Sequence, residues 1–207
     1  RQKGRAERRD FLRAFGEWAY RVRGFKGKFR LSEDLDILAG AEGRIALLYA
    51  DGNNMGELLQ LMPSPASYRH FSEVLDSATK EALFSAIWTV FGENRLKDMS
   101  LPVPFEIIAL GGDDVVVIVP AEYGWGLTLQ VLTEFENHPG IKRLAEEIGE
   151  RLSKALHPER LALTLSAGLA IADVKYPVSF LFALAEGLLK EAKKLAREFH
   201  ISTLCHL

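Results

Sequence analysis

Cysteine is almost absent from this sequence, since Cys205 is the only one in 207 residues. A single thiol can form neither an internal disulfide nor a cysteine-based zinc site, so a disulfide-rich secreted domain is excluded and a cytoplasmic location is expected. Long apolar runs are missing as well. No run reaches the roughly 18 residues that a membrane span needs, because Asp51 and the acidic pair at 113–114 interrupt the longest candidates. The sequence therefore predicts no membrane partner.

Two glycine-rich nucleotide motifs are also absent. The sequence contains no Gly-x4-Gly-Lys-Ser/Thr loop and no Gly-x-Gly-x-x-Gly turn, so neither a P-loop nor a Rossmann site is supported. With 48% apolar residues, the chain can form a real hydrophobic core. We expect one domain, or one domain with an appendage.

Basic residues are concentrated near the N-terminus. Residues 1–30 carry 11 Lys and Arg against three acids, a balance of +8, while the remainder of the chain carries −10. Apolar side chains recur there at spacings of three and four; they are Phe11, Phe15, Trp18, Val22 and Phe25. This periodicity predicts an amphipathic helix, and we assign residues 1–43 to a basic N-terminal helix and linker. Its basic face could contact RNA, although such faces are more often simply solvated.

The most informative stretch is Gly-Gly-Asp-Asp at residues 111–114, which lies between apolar runs at 105–110 and 115–119. Both runs are short and rich in β-branched residues, so each predicts a buried strand. Glycine and aspartate favour the tight turn of a hairpin. The pattern predicts that Asp113 and Asp114 lie at the rim of a sheet, although a turn in which aspartate only satisfies backbone groups has the same sequence.

A third acid follows another apolar strand. Residues 44–50 form a nearly continuous apolar run that ends at Asp51, and Gly-Asn-Asn at 52–54 breaks the strand before a helix or turn. If this strand lies beside the hairpin, three carboxylates meet at one edge, and their repulsion requires a cation. Oxygen ligands suit Mg²⁺ or Mn²⁺, and two such ions roughly 4 Å apart are the usual arrangement for phosphoryl chemistry.

The remaining chain alternates helical and strand patterns. Helices are predicted at 67–91, 124–136, 140–156 and 179–199, and a strand at 161–171. This strand has bulky residues on one face and small residues on the other, so the small face predicts space that a nucleotide could occupy. The order is that of a ferredoxin-like α+β fold, βαββαβ, with an antiparallel sheet and helices over one face. We place this domain at 44–200 and a C-terminal tail at 201–207.

Three blocks of the sequence carry a family resemblance. They are Tyr-Ala-Asp-Gly-Asn-Asn-Met-Gly at 49–56, Leu-Gly-Gly-Asp-Asp at 110–114 with Val-Pro-Ala at 119–121, and Leu-Ser-Ala-Gly-Leu-Ala-Ile-Ala at 165–172. With the basic helix that follows, they resemble the polymerase and cyclase palm superfamily, which includes the GGDEF diguanylate cyclases. Their residue pattern most resembles that of the palm of Cas10, the large subunit of type III CRISPR effectors. The resemblance implies a palm fold.

The Cas10 resemblance also implies a metal-dependent nucleotidyltransferase that uses ATP. Its product would be a cyclic oligoadenylate, a second messenger in antiviral defence, or a cyclic dinucleotide. The family pattern assigns metal coordination to Asp51 and Asp113, with Asp114 as their partner, and two Mg²⁺ or Mn²⁺ ions as cofactors. It assigns triphosphate contacts to Lys193 and Arg197, which are one helical turn apart and can reach one anion.

Further nucleotide contacts are expected around these motifs. The turn after Asp51 could bring backbone donors and amides to phosphate or ribose, and Ser166 could approach the base or ribose. The candidate nucleotide-binding residues are Gly52, Asn53, Asn54, Gly56, Gly111, Gly112 and Ser166. The alternatives are structural: a turn that only reverses the chain, and a small residue packed within a sheet.

Departures from the related families leave two alternative functions open. GGDEF cyclases usually have a lysine at the position of Gly56, which argues against a diguanylate cyclase. No histidine is followed by aspartate, so the His-Asp nuclease motif of some type III large subunits is missing. The other alternative is a non-catalytic palm that binds nucleotide or partner subunits. Because joining nucleotides requires a second nucleotide surface, we expect a homodimer or the remainder of a Cas10-like protein as partner, together with CRISPR effector subunits.

Overall fold

The computed structural model describes residues 2–60, 62–152, 163–199 and 201–207, which form a sheet flanked by helices. The strands are β1 (Arg44–Gly52), β2 (Glu106–Gly111), β3 (Asp114–Pro120), β4 (Leu165–Asp173) and β5 (Thr203–His206). The helices are α1 (Gln2–Arg23), α2 (Leu35–Ala39), α3 (Met55–Gln60), α4 (Pro65–Phe91), α5 (Glu93–Lys97), α6 (Ala121–Asn137), α7 (Pro139–Leu152) and α8 (Val178–Phe199). None of these helices is long and apolar enough to cross a membrane.

The sheet has the order β2-β3-β1-β4-β5, so β1 is its central strand. β1 pairs antiparallel with β3 and with β4, and Ala50 is opposite Val115 on one side and Ala167 on the other. Leu47 and Leu48 of β1, which project from opposite faces of the sheet, are both fully buried. A strand buried on both faces consists of one continuous apolar run, which is why the sequence predicts it.

The predicted hairpin is confirmed. β2 and β3 pair antiparallel up to Gly111 and Asp114, which are opposite each other, and Gly112 and Asp113 form the turn between them. Gly112 has a φ angle of 60°, in the left-handed region that glycine adopts at little steric cost. The hairpin turn and the end of β1 therefore lie at the same edge of the sheet.

Helices cover both faces of the sheet, which corrects the prediction that they lie over one face. α4 and α6, the two crossover helices, pack on the face that carries Leu48 and Val117. α8 and α2 pack on the other face, which carries Leu47 and Ile118. A sheet that is apolar on both faces needs a helical layer on each, because an uncovered face would expose its apolar side chains to water.

Residues 201–207 are not a tail, since four of them form β5. β5 pairs in parallel with β4, with Leu204 opposite Ala167, so the sheet is mixed rather than wholly antiparallel. The direction follows from the connection, because α8 carries the chain back along the sheet between the two strands. Strands β1 to β4 alone keep the antiparallel order of a ferredoxin-like fold. The predicted α+β palm class is confirmed, with one strand added.

The predicted helices at 67–91, 124–136 and 179–199 correspond to α4, α6 and α8. The helix predicted at 140–156 corresponds to α7 as far as Leu152. Its last residues, and the predicted strand start at 161–162, lie outside the described residues.

The N-terminal helix α1 docks on the domain through its aromatic side chains. Phe15 is fully buried and its ring contacts those of Phe84 and Phe105 at centroid distances of 5.5 and 5.2 Å. Val22, which the periodicity places on the same face, is instead 50% exposed. Several basic side chains of this region make contacts within the fold: Arg8 pairs with Glu106, Arg21 pairs with Glu81, and Arg30 donates to the Ser100 carbonyl. The predicted RNA contact therefore has only part of the basic arm available.

Candidate functional site

The end of β1 lies between the start of β3 and the start of β4. Asp51 is opposite Ser166 of β4, and the preceding residue Ala50 is opposite Val115 of β3. Ala50 and Val115 both face the α4 and α6 layer. Because side chains alternate along a strand, Asp51 and Asp114 project from the other face, the one covered by α8.

Most of the predicted site residues line one cleft of about 350 Å³ at this edge, which we call the rim cleft. Its lining residues are Asp51, Gly52, Asn53, Asn54, Met55, Gly56, Glu57, Asp113, Lys193 and Arg197. The structure thus brings an acid from β1, an acid from the hairpin turn and two bases from α8 together. The predicted site residues outside this lining are Gly111, Gly112, Asp114 and Ser166.

Lys193 is the counter-ion of Asp51. Its ammonium group donates to the Asp51 carboxylate and, at 2.9 Å, to the carbonyl of Gly52. Burial and the neighbouring Arg197 guanidinium lower the pKa of Lys193. The end of β1 therefore already holds one cationic group, the Lys193 ammonium, through a carboxylate oxygen and a backbone oxygen.

The absence of a side chain at Gly52 leaves room for Asp113. A Cβ atom at this position would lie 2.5 Å from Asp113 Oδ2 and 2.5 Å from Met55 Cγ. Both distances are far below ordinary van der Waals contact, so any other residue would displace the Asp113 carboxylate. Gly52 therefore lets the Asp113 carboxylate lie against the end of β1, where Asp51 lines the same cleft.

Asp114 lies beside the rim cleft rather than in it. Burial, followed by the charge of Asp113, raises the pKa of Asp114. Alternation along the paired strands puts Tyr49 on the same face as Asp114, and the pKa of Tyr49 is raised by burial and then by the charges of Asp114 and Glu186. Among the described residues, no group of three His, Cys, Asp or Glu side chains is arranged to hold a metal ion. Of the three carboxylates predicted to meet, those of Asp51 and Asp113 line the rim cleft and that of Asp114 does not. The reason is that Asp113 belongs to the hairpin turn and Asp114 to β3.

Asn53 and Ser166 are held inside the protein. Asn53 is 5% exposed, and its side-chain amide is hydrogen-bonded to the hydroxyls of Thr164 at 2.8 Å and Ser166 at 2.7 Å. Ser166 is fully buried and also lies 2.9 Å from the hydroxyl of Thr203. The Ser166 hydroxyl therefore faces protein groups and not a base or ribose, which corrects the predicted contact.

The small face of β4 is filled by α8 and leaves no space for a nucleotide, which corrects a second prediction. A Cβ atom at Gly168 would collide with the backbone of α8, at the carbonyl of Ala185 and, at 2.5 Å, the nitrogen of Leu189. Small residues in a strand allow either a ligand or another backbone to approach closely. Here they allow the helix to approach, which brings Lys193 within reach of the β1 end.

Asn54 completes the turn between β1 and α3. Its φ angle is 59°, the left-handed conformation that asparagine tolerates better than most residues. Its carbonyl accepts hydrogen bonds from the backbone nitrogens of Glu57 and Leu58, both at 3.1 Å. Gly56 has open space where a side chain would be, so this part of the turn is accessible.

Asp76 of α4 is a site residue that the sequence analysis missed. Its Oδ1 atom accepts a hydrogen bond from the backbone nitrogen of Gly112 at 3.0 Å, and its Oδ2 atom pairs with Lys80 at 2.5 Å. Asp76 thereby holds the turn that carries Asp113. The spacing of Asp76 and Lys80 indicates a pair on one helical face, but nothing local shows that the hairpin turn lies beside it.

The family model of the Cas10/Cmr2 second palm domain matches residues 44–199. The chain belongs to the Cas10/Cmr2 palm family. This confirms the resemblance that the three sequence blocks indicate. No curated protein matches the chain.

Solved structures of Csm1–Csm4 cassettes are similar in fold. The cassette in complex with one ATP has a TM-score of 0.59 and 19% identity, over 83% of this chain and 23% of that chain. For the cassette in complex with AMPPNP the values are 0.56 and 20%, over 77% and 21%. For the cassette in complex with cA4 they are 0.54 and 22%, over 74% and 20%. The chain spans about a fifth of the length of these structures' chains.

Proposed function

We propose that this palm binds ATP in the rim cleft and transfers its nucleotidyl group to a ribose hydroxyl, releasing pyrophosphate. The product would be a cyclic oligoadenylate or a cyclic dinucleotide that acts in CRISPR-type antiviral defence. The observation that carries the proposal is the meeting of Asp51 and Asp113 with Lys193 and Arg197 in one cleft. Acids and bases combined in this way suit a triphosphate with its cations. The Csm1–Csm4 cassettes with ATP, AMPPNP and cA4 agree with this substrate class.

Lys193 and Arg197 are the residues that bind the triphosphate. They are one turn apart on α8 and both line the rim cleft. Their charges would neutralise the phosphates and the pyrophosphate that leaves. Lys193 must then exchange its contact with Asp51 for one with phosphate. Burial and the neighbouring Arg197 guanidinium lower the pKa of Lys193, and a bound phosphate would offset the repulsion between the two bases.

The oxygen donors of the rim cleft fit Mg²⁺ or Mn²⁺. The Asp51 carboxylate and the Gly52 carbonyl already face a cation, the Lys193 ammonium, and the Asp113 carboxylate lies against Gly52. Asp51 and Asp113 would hold the ions, with Asp114 as a further carboxylate of the same hairpin. When bound, two such ions lower the pKa of the attacking ribose hydroxyl and stabilise the leaving pyrophosphate.

The turn at 52–56 and the hairpin glycines shape the wall against which the nucleotide lies. Gly56 and Asn54 line the cleft on its open side and offer backbone groups to phosphate or ribose. Gly111 and Gly112 set the direction of the hairpin that carries Asp113. Asn53 is buried, and its side chain would support this turn through hydrogen bonds to Thr164 and Ser166.

A second nucleotide surface must come from outside this palm. In-line attack requires a second nucleotide held opposite the first, whereas the rim cleft is a single cleft formed by the end of β1 with the following turn, one hairpin turn and α8. A homodimer or the remainder of a longer Cas10-like protein would supply this surface. The solved relatives are about five times longer than the matched region and are paired with Csm4. Effector subunits of this kind, and RNA at the basic helix α1, are the partners that we propose.

A palm that binds nucleotide without catalysis is the second candidate. One observation favours it: Lys193 neutralises Asp51, and Asp114 lies outside the cleft. A site with this arrangement could retain the triphosphate without assembling the metal ligands.

The test is incubation of the chain with labelled ATP or GTP and Mg²⁺ or Mn²⁺, followed by identification of products by mass spectrometry. We expect pyrophosphate and oligoadenylates or a cyclic dinucleotide from ATP, and none of these from Asp113→Ala/Asp114→Ala. Binding of ATP without product at any protein concentration would exclude a homodimer as the source of the second nucleotide surface, and the same result with the longer Cas10-like protein would support the non-catalytic candidate. Products from GTP alone would support a diguanylate cyclase. Full turnover by the double variant would refute the assignment of the acids.

A further inference from the structure

A chain of polar side chains runs beneath the rim cleft, from the turn after β1 to the backbone of α8. As placed in the structure, Asn53 donates through Nδ2 to the Thr164 hydroxyl at 2.8 Å and accepts through Oδ1 from the Ser166 hydroxyl at 2.7 Å, and a flip of the amide exchanges these two roles. The Ser166 and Thr203 hydroxyls are 2.9 Å apart. Thr203 also lies 2.7 Å from the Ala192 carbonyl, to which it donates. The first three of these residues are buried and Thr203 is half-buried, so the groups depend on one another for hydrogen bonds.

The number of available protons decides how the Asn53 amide is oriented. Each hydroxyl has one proton to donate, whereas the amide donates only through Nδ2 and accepts only through Oδ1. If Oδ1 faces Ser166, the Ser166 proton is used on the amide and the Thr203 proton on α8. The 2.9 Å contact between the two hydroxyls then contains no proton. If Nδ2 faces Ser166, every contact in the chain receives one proton.

We propose that Asn53 directs Oδ1 to Thr164 and Nδ2 to Ser166, and that the resulting one-way chain of hydrogen bonds positions the two walls of the rim cleft. Thr164 donates to Asn53, and Asn53 donates to Ser166. Ser166 donates to Thr203, which donates to the α8 carbonyl. The two ends of an amide have the same shape, so the hydrogen-bond network determines their orientation. Hydrogen bonds that run in one direction also polarise and strengthen one another.

The two ends of this hydrogen-bond chain lead to residues that contact each other in the rim cleft. The hydrogen-bond chain can therefore position those residues. Asn53 follows Asp51 and Gly52, and its backbone nitrogen donates to the Thr164 carbonyl at 2.9 Å. Ala192 precedes Lys193, whose ammonium group contacts Asp51 and Gly52. The buried chain and this ion pair therefore close one loop of contacts. Asn53, Ser166 and Thr203 are positioning residues in this arrangement.

Among the residues that form the hydrogen-bond chain, Thr203 lies outside the region that matches the family model. The match ends at residue 199, whereas Thr203 belongs to the added strand β5. β5 therefore does more than extend the sheet, because it supplies the hydroxyl that joins β4 to α8.

The amide orientation can be tested by NMR without any nucleotide. The side-chain amide signal of Asn53 is assigned by its loss in Asn53→Asp. We expect nuclear Overhauser contacts from the Asn53 amide protons to the β protons of Ser166, and slow exchange of these amide protons with solvent. Contacts to the β proton and methyl group of Thr164 instead would overturn the orientation.

The positioning role is tested with a matched pair at β5. Thr203→Val removes the hydroxyl at nearly constant volume, and Thr203→Ser keeps it. Thr133→Val is the control, because Thr133 also donates to a helix carbonyl, that of Leu129 at 2.8 Å, but lies on α6 away from the cleft. We expect Thr203→Val to speed exchange of the Asn53 amide at least tenfold and to weaken ATP binding about three- to tenfold, the loss of about one hydrogen bond. Thr203→Ser should stay within about twofold, as should the control.

The ATP-binding part of this test depends on the proposed function, and the NMR part does not. Failure of the wild-type chain to bind ATP would count against the proposed function, while the Overhauser contacts would still decide the orientation. A folded Thr203→Val protein with wild-type ATP affinity and a wild-type Asn53 signal would overturn the positioning role. A lower melting temperature with unchanged ATP affinity would show that the hydrogen-bond chain only stabilises the fold. This result would also overturn the positioning role.

Discussion

Gly52→Ala should damage the site while leaving the fold nearly intact. The added Cβ atom would lie 2.5 Å from Asp113 Oδ2, about 0.9 Å short of the 3.4 Å at which ordinary contacts begin. It would also lie 2.9 Å from the Cβ atom of Asp113, so rotation of the carboxylate alone cannot remove the clash. The hairpin acid must therefore move by roughly 1 Å. A misplacement of this size can lower a rate by about 100-fold.

The effect on stability should be much smaller than the effect on turnover. Asp113 lies in a turn at the sheet rim and is not buried in the core, so it can move at a cost of about 1 kcal/mol or less. We expect kcat/KM for ATP to fall about 100-fold and the midpoint of chemical denaturation to change little. Gly126→Ala is the matched control, because a Cβ atom there has open space and lies on α6.

Two results would refute this reasoning. Turnover within threefold of the wild type would show that the position of Asp113 does not govern the reaction. A large loss of stability, equal to that of a core substitution, would show that the clash is relieved by the backbone of β1 and not by the hairpin acid. Metal binding measured with Mn²⁺ should fall together with turnover, since both depend on the same carboxylate.

Three further predictions concern the charges and the packing around the rim cleft. Lys193→Ala should weaken triphosphate binding about tenfold or more and adenosine binding less than twofold in calorimetric titrations, because the contact is with phosphate; equal losses would contradict this role. Asp114→Asn should raise the melting temperature by about 1–2 °C at pH 7 without divalent metal and leave it unchanged near pH 3. The raised pKa of Asp114 means that its contribution to stability is present below its ordinary pKa and is lost as pH rises through the folded value; an equal effect at both pH values would exclude the charge as the cause. Gly168→Ala should destabilise the fold by about 3 kcal/mol in urea denaturation, because the new Cβ atom meets the backbone of α8; a change below about 1 kcal/mol would show that the helix moves away freely.

Much of the fold could be predicted because its signals are local. The hairpin follows from two β-branched runs around glycine and aspartate, and the end of β1 follows from an apolar run that stops at Asp51. The helical spacing of Lys193 and Arg197 likewise predicts that both reach the same place, and both line the rim cleft. These features depend on residues within a few positions of one another, where periodicity and turn chemistry act directly.

The small face of β4 shows where local signals stop. Gly168 and Ser166 are compatible with a bound ligand or with a closely packed helix, and the same residues serve either. The structure places α8 against Gly168 and buries Ser166 among Asn53 and Thr203. The choice depends on which face α8 covers, a long-range property that no stretch of β4 contains.

The sequence by itself determined which residues could do chemistry: the acids at two strand ends, the bases one helical turn apart, and the glycines that let them approach. Only the tertiary structure decided which of them meet. Asp113 lines the same cleft as Asp51 because Gly52 leaves room and Asp76 holds the hairpin turn, whereas Asp114, one residue later, lies beside the cleft. The physical reason is that turns and periodicities are set by neighbouring residues, while distances between strand ends are set by packing across the sheet.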